Sequence, residues 1–286
     1  MPAASDRARW TPRLQRQSKR GVAWWFDPGA LESGVVVAFS ERTGGVSAAP
    51  FESLNFAAHV GDDPAAVDEN RSRLLEACGL GTSRASLTMA EQVHGKRITI
   101  VDGQNFGAGA FASRGEPPLP STDAMVTARR GVPLALCFAD CVPIVLVAPG
   151  PAVAVAHSGW RGALSGIAGS TARDLASVAS CDAAEIVAYI GPHIQSCHYD
   201  VGADVMSQFC NTFGTVARAN SGGLDLDAVV TASLVDAGVT QCSIARLETC
   251  SAEATDRFFS YRAEGGRTGR HAALVCVLSD ARSPLS

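Results

Sequence analysis

Aromatic residues make up only 6% of the 286-residue chain and charged residues 18%, and neither sign of charge dominates, the formal net charge being −4. A nucleic-acid partner needs a basic face, and this balance does not supply one. No apolar run reaches membrane-spanning length, because Asp140 interrupts the longest of them. There is no CxxC pair, and the nine cysteines are odd in number and scattered, so a secreted disulfide framework is not expected and a reducing cytoplasm is. The first twenty residues carry Arg7, Arg9, Arg13, Arg16, Lys19 and Arg20 against Asp6 alone, with no apolar stretch of the secretory kind. The expected organisation is a flexible basic arm over residues 1–22 followed by a single domain over 23–286, with no internal repeat or interdomain linker.

What the chain does have is 47% hydrophobic residues, enough for a full core. The most informative stretch runs from Gly131 to Gly162. Leu134–Phe138 and Val142–Val147 read as apolar strands, and Ala152–Ala156 follows across Pro149-Gly150-Pro151, which implies a hairpin. A turn centred near Pro149–Gly150 sets Cys141 opposite His157 at the open end, two first-row metal ligands with room for a third. Asp140 beside Cys141 adds weight, because a carboxylate in so apolar a run is costly unless it orients a ligand or moves a proton. Ser158-Gly159-Trp160-Arg161-Gly162 leads into a helical pattern through Leu164, Ile167, Ala168, Thr171, Leu175 and Val178, so Arg161 is a candidate anion seat at a helix start.

Elsewhere, Val35–Phe39 reads as a strand that delivers Arg42 to a Gly44-Gly45 turn. Asp63-Pro64 opens a helix that stops at Gly79, with Asn70 and Arg71 on what reads as a solvated face. Ser86–Met89 and Arg97–Val101 flank the loop that holds His94, one of only six histidines. Residues 102–121 read as a long surface loop or lid. Ile186–Ile190 and Ala272–Leu278 are further strands, and residues 203–217 and 225–236 are helical. Cys197 and His198 rank behind the Cys141–His157 pair, since neighbours on an extended chain face opposite ways.

Taken in series, RTGGVS at 42–47, NR at 70–71, QVHG at 92–95, ADCVP at 139–143, AHSGWRG at 156–162, YIGPHI at 189–194 with YDVG at 199–202, and FFSYR with TGR across 258–270 resemble the YfiH-like family. That family, also called the laccase-domain or multicopper polyphenol oxidoreductase family, is associated with purine nucleoside phosphorylase activity. The resemblance spans about residues 35–278 and departs from the family at Glu41, His193 and Asp200. It implies an α+β fold, a layered α/β sandwich with a mixed sheet like that of the cytotoxic necrotising factor catalytic domain. It also implies that His94 completes a metal triad with Cys141 and His157.

One Cys and two His with an open fourth position is the pattern of a catalytic zinc, with copper as the alternative ion. No His-x-His occurs, and a blue multicopper oxidase needs paired motifs of that kind. The activity that the resemblance implies is phosphorolysis of adenosine, inosine or methylthioadenosine to free base and ribose 1-phosphate, with adenosine deamination alongside. In this reading Arg161, Arg42 and Arg71 bind phosphate and Asp140 serves as acid or base near His94, Cys141 and His157. The alternatives are a hydrolase editing cell-wall precursors, a copper-dependent phenol oxidase and a non-catalytic metal-stabilised module. The partners expected are small purine nucleosides and phosphate, with neither nucleic acid nor membrane; the oligomeric state is left open, a monomer being compatible with the sequence.

Overall fold

The computed structural model describes residues 10–279. Strands β1 (Gln15–Lys19) and β2 (Val22–Phe26) form a hairpin, and helix α1 (Pro28–Glu32) leads to β3 (Val35–Ser40). Helix α2 (Pro64–Ala77) starts where Asp63 accepts the backbone N–H of Ala65 and Pro64 fills the first turn. Then come β4 (Thr88–Met89), β5 (Ile98–Ile100), β6 (Ala124–Thr127), β7 (Leu134–Phe138), β8 (Val142–Ala148) and β9 (Ala152–Ser158). Helices α3 (Trp160–Leu164) and α4 (Ile167–Ala179), strand β10 (Val187–Ile190), helices α5 (Ala203–Phe213) and α6 (Leu226–Asp236), and strands β11 (Ile244–Arg246) and β12 (His271–Val277) complete the order.

The strands form two six-stranded sheets, β1-β2-β3-β12-β7-β4 and β11-β10-β8-β9-β6-β5. Both are mixed, with β4–β7 parallel in the first and β10–β11 and β5–β6 parallel in the second. The α+β sandwich expected from the sequence is therefore built on two mixed sheets rather than one. Alternation along the strands explains the layering. Leu134, Leu136 and Phe138 of β7 meet Val145, Val147, Val153 and Val155 between the sheets, while Ala135 and Cys137 face outward with Leu74 and Leu75 of α2. On the far side Ile144, Leu146 and Ala154 pack under Leu175 of α4, Phe209 of α5 and Val230 of α6. At about 1.5–3 kcal/mol for each buried Val, Leu or Phe, these three layers dominate stability.

Four expectations change. The basic arm is structured from Trp10 onward, and β1 is held to the sheet by Arg16, which grips the buried Glu41 carboxylate through two contacts of 2.8 Å each; residues 1–9 lie outside the described residues. Asn70 and Arg71 are buried, not solvated. The pattern after Arg161 breaks at Gly166, whose φ of 70° separates α3 from α4. Finally, the hairpin turn is centred on Gly150, at φ 89°, so Pro143 rather than Cys141 lies opposite His157.

Candidate metal centre

The chain crosses from one sheet to the other between β7 and β8, through Ala139-Asp140-Cys141. Asp140 makes the crossing at φ 86°, a conformation that costs an ordinary residue about 1–2 kcal/mol. Three contacts hold it there. Its carbonyl accepts the Ile194 N–H at 3.0 Å, and its carboxylate oxygens accept the Ser251 hydroxyl and the Arg262 backbone N–H, each at 2.7 Å. Hydrogen bonds to a charged group are worth about 1.5–3 kcal/mol apiece, so the tethers outweigh the strain. The kink delivers Cys141 just before β8, close to His157 near the end of β9.

His94, itself at φ 58°, comes from the loop between β4 and β5. The ligating atoms of His94, Cys141 and His157 all lie within 4.8 Å of one another. The two imidazoles meet edge to face with centroids 4.8 Å apart. The convergence survives the altered hairpin register because Cys141 lies in the kink outside the ladder. Gly159 makes room for it: a Cβ there would come within 2.8 Å of His94 Cδ2 and 3.1 Å of the Cys141 sulfur. Glycine keeps side-chain atoms out of the space beside all three donors.

Asp123, fully buried just ahead of β6, organises the group. Its Oδ1 accepts the His94 backbone N–H at 3.0 Å and His157 Nδ1–H at 2.9 Å, and its Oδ2 accepts the Gly95 N–H at 2.8 Å. Holding Nδ1 in this way leaves His157 Nε2 as the ligating nitrogen, the carboxylate–histidine arrangement common behind metal ions. Sequence reasoning passed over Asp123. The available signal was a carboxylate at the start of an apolar strand, the same argument that singled out Asp140.

Burial opposes ionisation of the Cys141 thiol, but the charge and hydrogen bond of His157, joined by His94, outweigh it and bring the thiol down to about 6. Burial likewise disfavours the His157 imidazolium, yet the Cys141 thiolate and Asp123 raise it to about 9. Thiolate and imidazolium thus stabilise one another, and a cation that displaces the proton finds a charged sulfur ready. One thiolate and two imidazoles fit an ion of the zinc class, and this chain would hold it through His94, Cys141 and His157.

The other expected residues divide. Arg42 is engaged by the Glu52 and Thr255 carbonyls and by Glu264 at 2.9 Å. Arg71 is buried and donates to the carbonyls of Phe56, Gly109 and Ala110. Both brace loops and do not present a free guanidinium to phosphate. Arg161 does: it is exposed, stacks 4.2 Å above the Trp160 ring and meets no hydrogen-bond acceptor among the described residues. Its helix, at five residues, is too short to act as an anion seat by itself. Asp140 is a tether, both of its oxygens being engaged. Two further groups border the centre, Arg270, within electrostatic reach of Cys141 and Asp140, and Tyr199. Burial first, then the charges of Cys141 and Asp140, push the Tyr199 phenol up to about 12, so it remains a proton-bearing donor.

The family model described as multi-copper polyphenol oxidoreductase laccase matches residues 36–278. Purine nucleoside phosphorylase YlmD of Geobacillus stearothermophilus is 38% identical over 275 residues, covering 92% of this chain and 97% of that protein. A purine nucleoside phosphorylase of Streptomyces coelicolor is 38% identical over 248 residues, covering 85% and 96%. Among solved structures, YlmD from Geobacillus stearothermophilus superposes with a TM-score of 0.84 at 36% identity, covering 94% of this chain and all of that one. The Bacillus licheniformis hypothetical protein YfiH gives 0.83 at 32% identity, covering 92% and 98%.

Proposed function

We propose, from the premise that this chain belongs to the multi-copper polyphenol oxidoreductase laccase family, that it is a metal-dependent purine nucleoside phosphorylase. The observation that carries the reading is the convergence of His94, Cys141 and His157 beside Gly159, with Asp123 holding the histidines, in a chain whose relatives are named purine nucleoside phosphorylases. Phosphorolysis replaces the bond between base and ribose C1 with a bond to phosphate oxygen, giving free base and ribose 1-phosphate. It needs a counter-charge for phosphate and a donor for the leaving purine.

His94, Cys141 and His157 would hold Zn2+, which would supply Lewis acidity. The chain supplies the rest. Arg161 offers the uncommitted guanidinium for phosphate, and Arg270, within electrostatic reach of Cys141 and Asp140, adds positive charge. Tyr199 stays protonated and donates toward the purine. Asp140 is a positioning residue that fixes the Cys141 kink and the loops carrying Ser251 and Arg262. Deamination of adenosine at the purine C6 belongs to the same centre and is measured separately.

The test is incubation of metal-loaded protein with inosine, adenosine and methylthioadenosine, with and without phosphate. Ribose 1-phosphate formed only when phosphate is present supports the reading. Its absence with every nucleoside at full metal loading overturns it.

A further inference from the structure

A second group of metal-type donors lies away from the triad. Cys197, His198 and Cys250 bring their ligating atoms within 4.8 Å of one another. The reason they meet is local. Residues 195–198 form a turn closed by the His198 N–H donating to the Gln195 carbonyl at 2.9 Å, so the extended-chain argument that separates neighbouring side chains does not apply. Cys250 arrives from a loop held beside this turn, where the Ser251 N–H donates to the His193 carbonyl at 2.9 Å.

The contacts are centred on one atom. His198 Nδ1 lies 3.2 Å from Cys197 Sγ, 3.7 Å from Cys250 Sγ and 3.5 Å from Glu253 Oε1. A ring nitrogen carries one proton or one lone pair, and so can satisfy one such neighbour well, not three. These separations instead match the edges of a coordination tetrahedron: with zinc–sulfur bonds of about 2.3 Å and zinc–nitrogen bonds of about 2.0–2.1 Å, a sulfur–nitrogen edge is about 3.5 Å. The Gln195 backbone N–H, 3.4 Å from Cys250 Sγ, supplies the kind of outer hydrogen bond that steadies a metal-bound thiolate.

We propose that Cys197, His198 and Cys250 bind a thiophilic divalent cation of the zinc class, its fourth position open to water or to the exposed Glu253 beside His198. The site pins the turn at 195–198 to the loop at 250–253. Those loops also hold Asp140, through Ser251 Oγ and through Arg262, whose guanidinium donates to the His198 carbonyl at 3.1 Å. The ion therefore braces the loops that hold Asp140. This inference does not depend on the phosphorylase reading.

The experiment is zinc stoichiometry on the reduced, chelator-stripped full chain after dialysis against Zn2+, with alkylation of Cys197 as a second readout. The wild type takes up about two equivalents, and Cys141→Ala and Cys197→Ser about one each, because each variant leaves one complete cage. In Cys141→Ala, added zinc slows alkylation of Cys197, and His198→Gln removes that protection. Cys197 is exposed, so its serine variant folds even where Cys250→Ser does not. The proposal is overturned by a single equivalent in the wild type that Cys197→Ser leaves unchanged, by no zinc in folded Cys141→Ala, or by a Cys197–Cys250 disulfide that persists under reductant.

Discussion

Asp123 and His157 are joined twice, by the His157 side chain donating from Nδ1 to Asp123 Oδ1 at 2.9 Å and by the His157 backbone N–H donating to the Asp123 carbonyl at 2.7 Å. Strands β6 and β9 are thus locked in register where the imidazole leaves the sheet, and one buried carboxylate sets both the tautomer and the direction of a candidate ligand. Replacing Asp123 with Asn keeps the shape but removes the charge and allows the wrong tautomer. Zinc affinity at the triad should fall about 10–100-fold, read by competition with a chromophoric chelator. Unchanged affinity would reduce Asp123 to a strand-end contact.

Gly159 has ordinary backbone angles, φ −70° and ψ 174°, so alanine there strains nothing in the main chain. The added Cβ falls 2.8 Å from His94 Cδ2 and 3.1 Å from the Cys141 sulfur. Gly159→Ala should therefore keep its melting temperature within a few degrees while losing at least about tenfold in metal affinity and turnover, a cost of about 1.4 kcal/mol or more. A variant that binds metal normally would show that His94 moves aside freely and is not a required ligand.

Much of this centre was legible. β7 falls on the expected Leu134–Phe138, and the Pro-Gly-Pro turn announces the β8–β9 hairpin. The register was not legible, because three turn residues leave its centre undecided until Gly150 is seen at positive φ. Strands as uniformly apolar as β7, β8 and β9 do not say which sheet they join, so two sheets read as one. Arg71 looked solvated because the helix pattern places it among polar neighbours, and only the fold, which brings the Phe56, Gly109 and Ala110 carbonyls over it, reveals its three partners. Arg16 looked like part of a loose basic arm because nothing in the sequence shows that Glu41 is buried and needs a cation.

His271, buried on β12 beside Phe138 and Phe258, gives the fold an acid sensitivity. Burial, aided by the charges of Arg270 and Arg42, pulls its pKa down to about 3. The unfolded chain takes up this proton near 6.5 and the native state only near 3, so between those values the unfolded state binds more protons and stability falls as pH drops. The slope from this residue is at most about 1.4 kcal/mol per pH unit. Urea unfolding between pH 7 and 4 should show wild type weakening faster than His271→Leu, whereas parallel curves would mean that His271 titrates normally in the native protein.

Stripping the protein with chelator, restoring Zn2+ and following ribose 1-phosphate from inosine and phosphate reads whether phosphorolysis depends on a metal held by His94, Cys141 and His157. Wild type should lose activity on stripping and regain it on zinc addition, while folded Cys141→Ala and His157→Gln stay inactive throughout. Phosphorolysis that survives complete metal removal, or persists in either variant at the wild-type rate, would contradict the account.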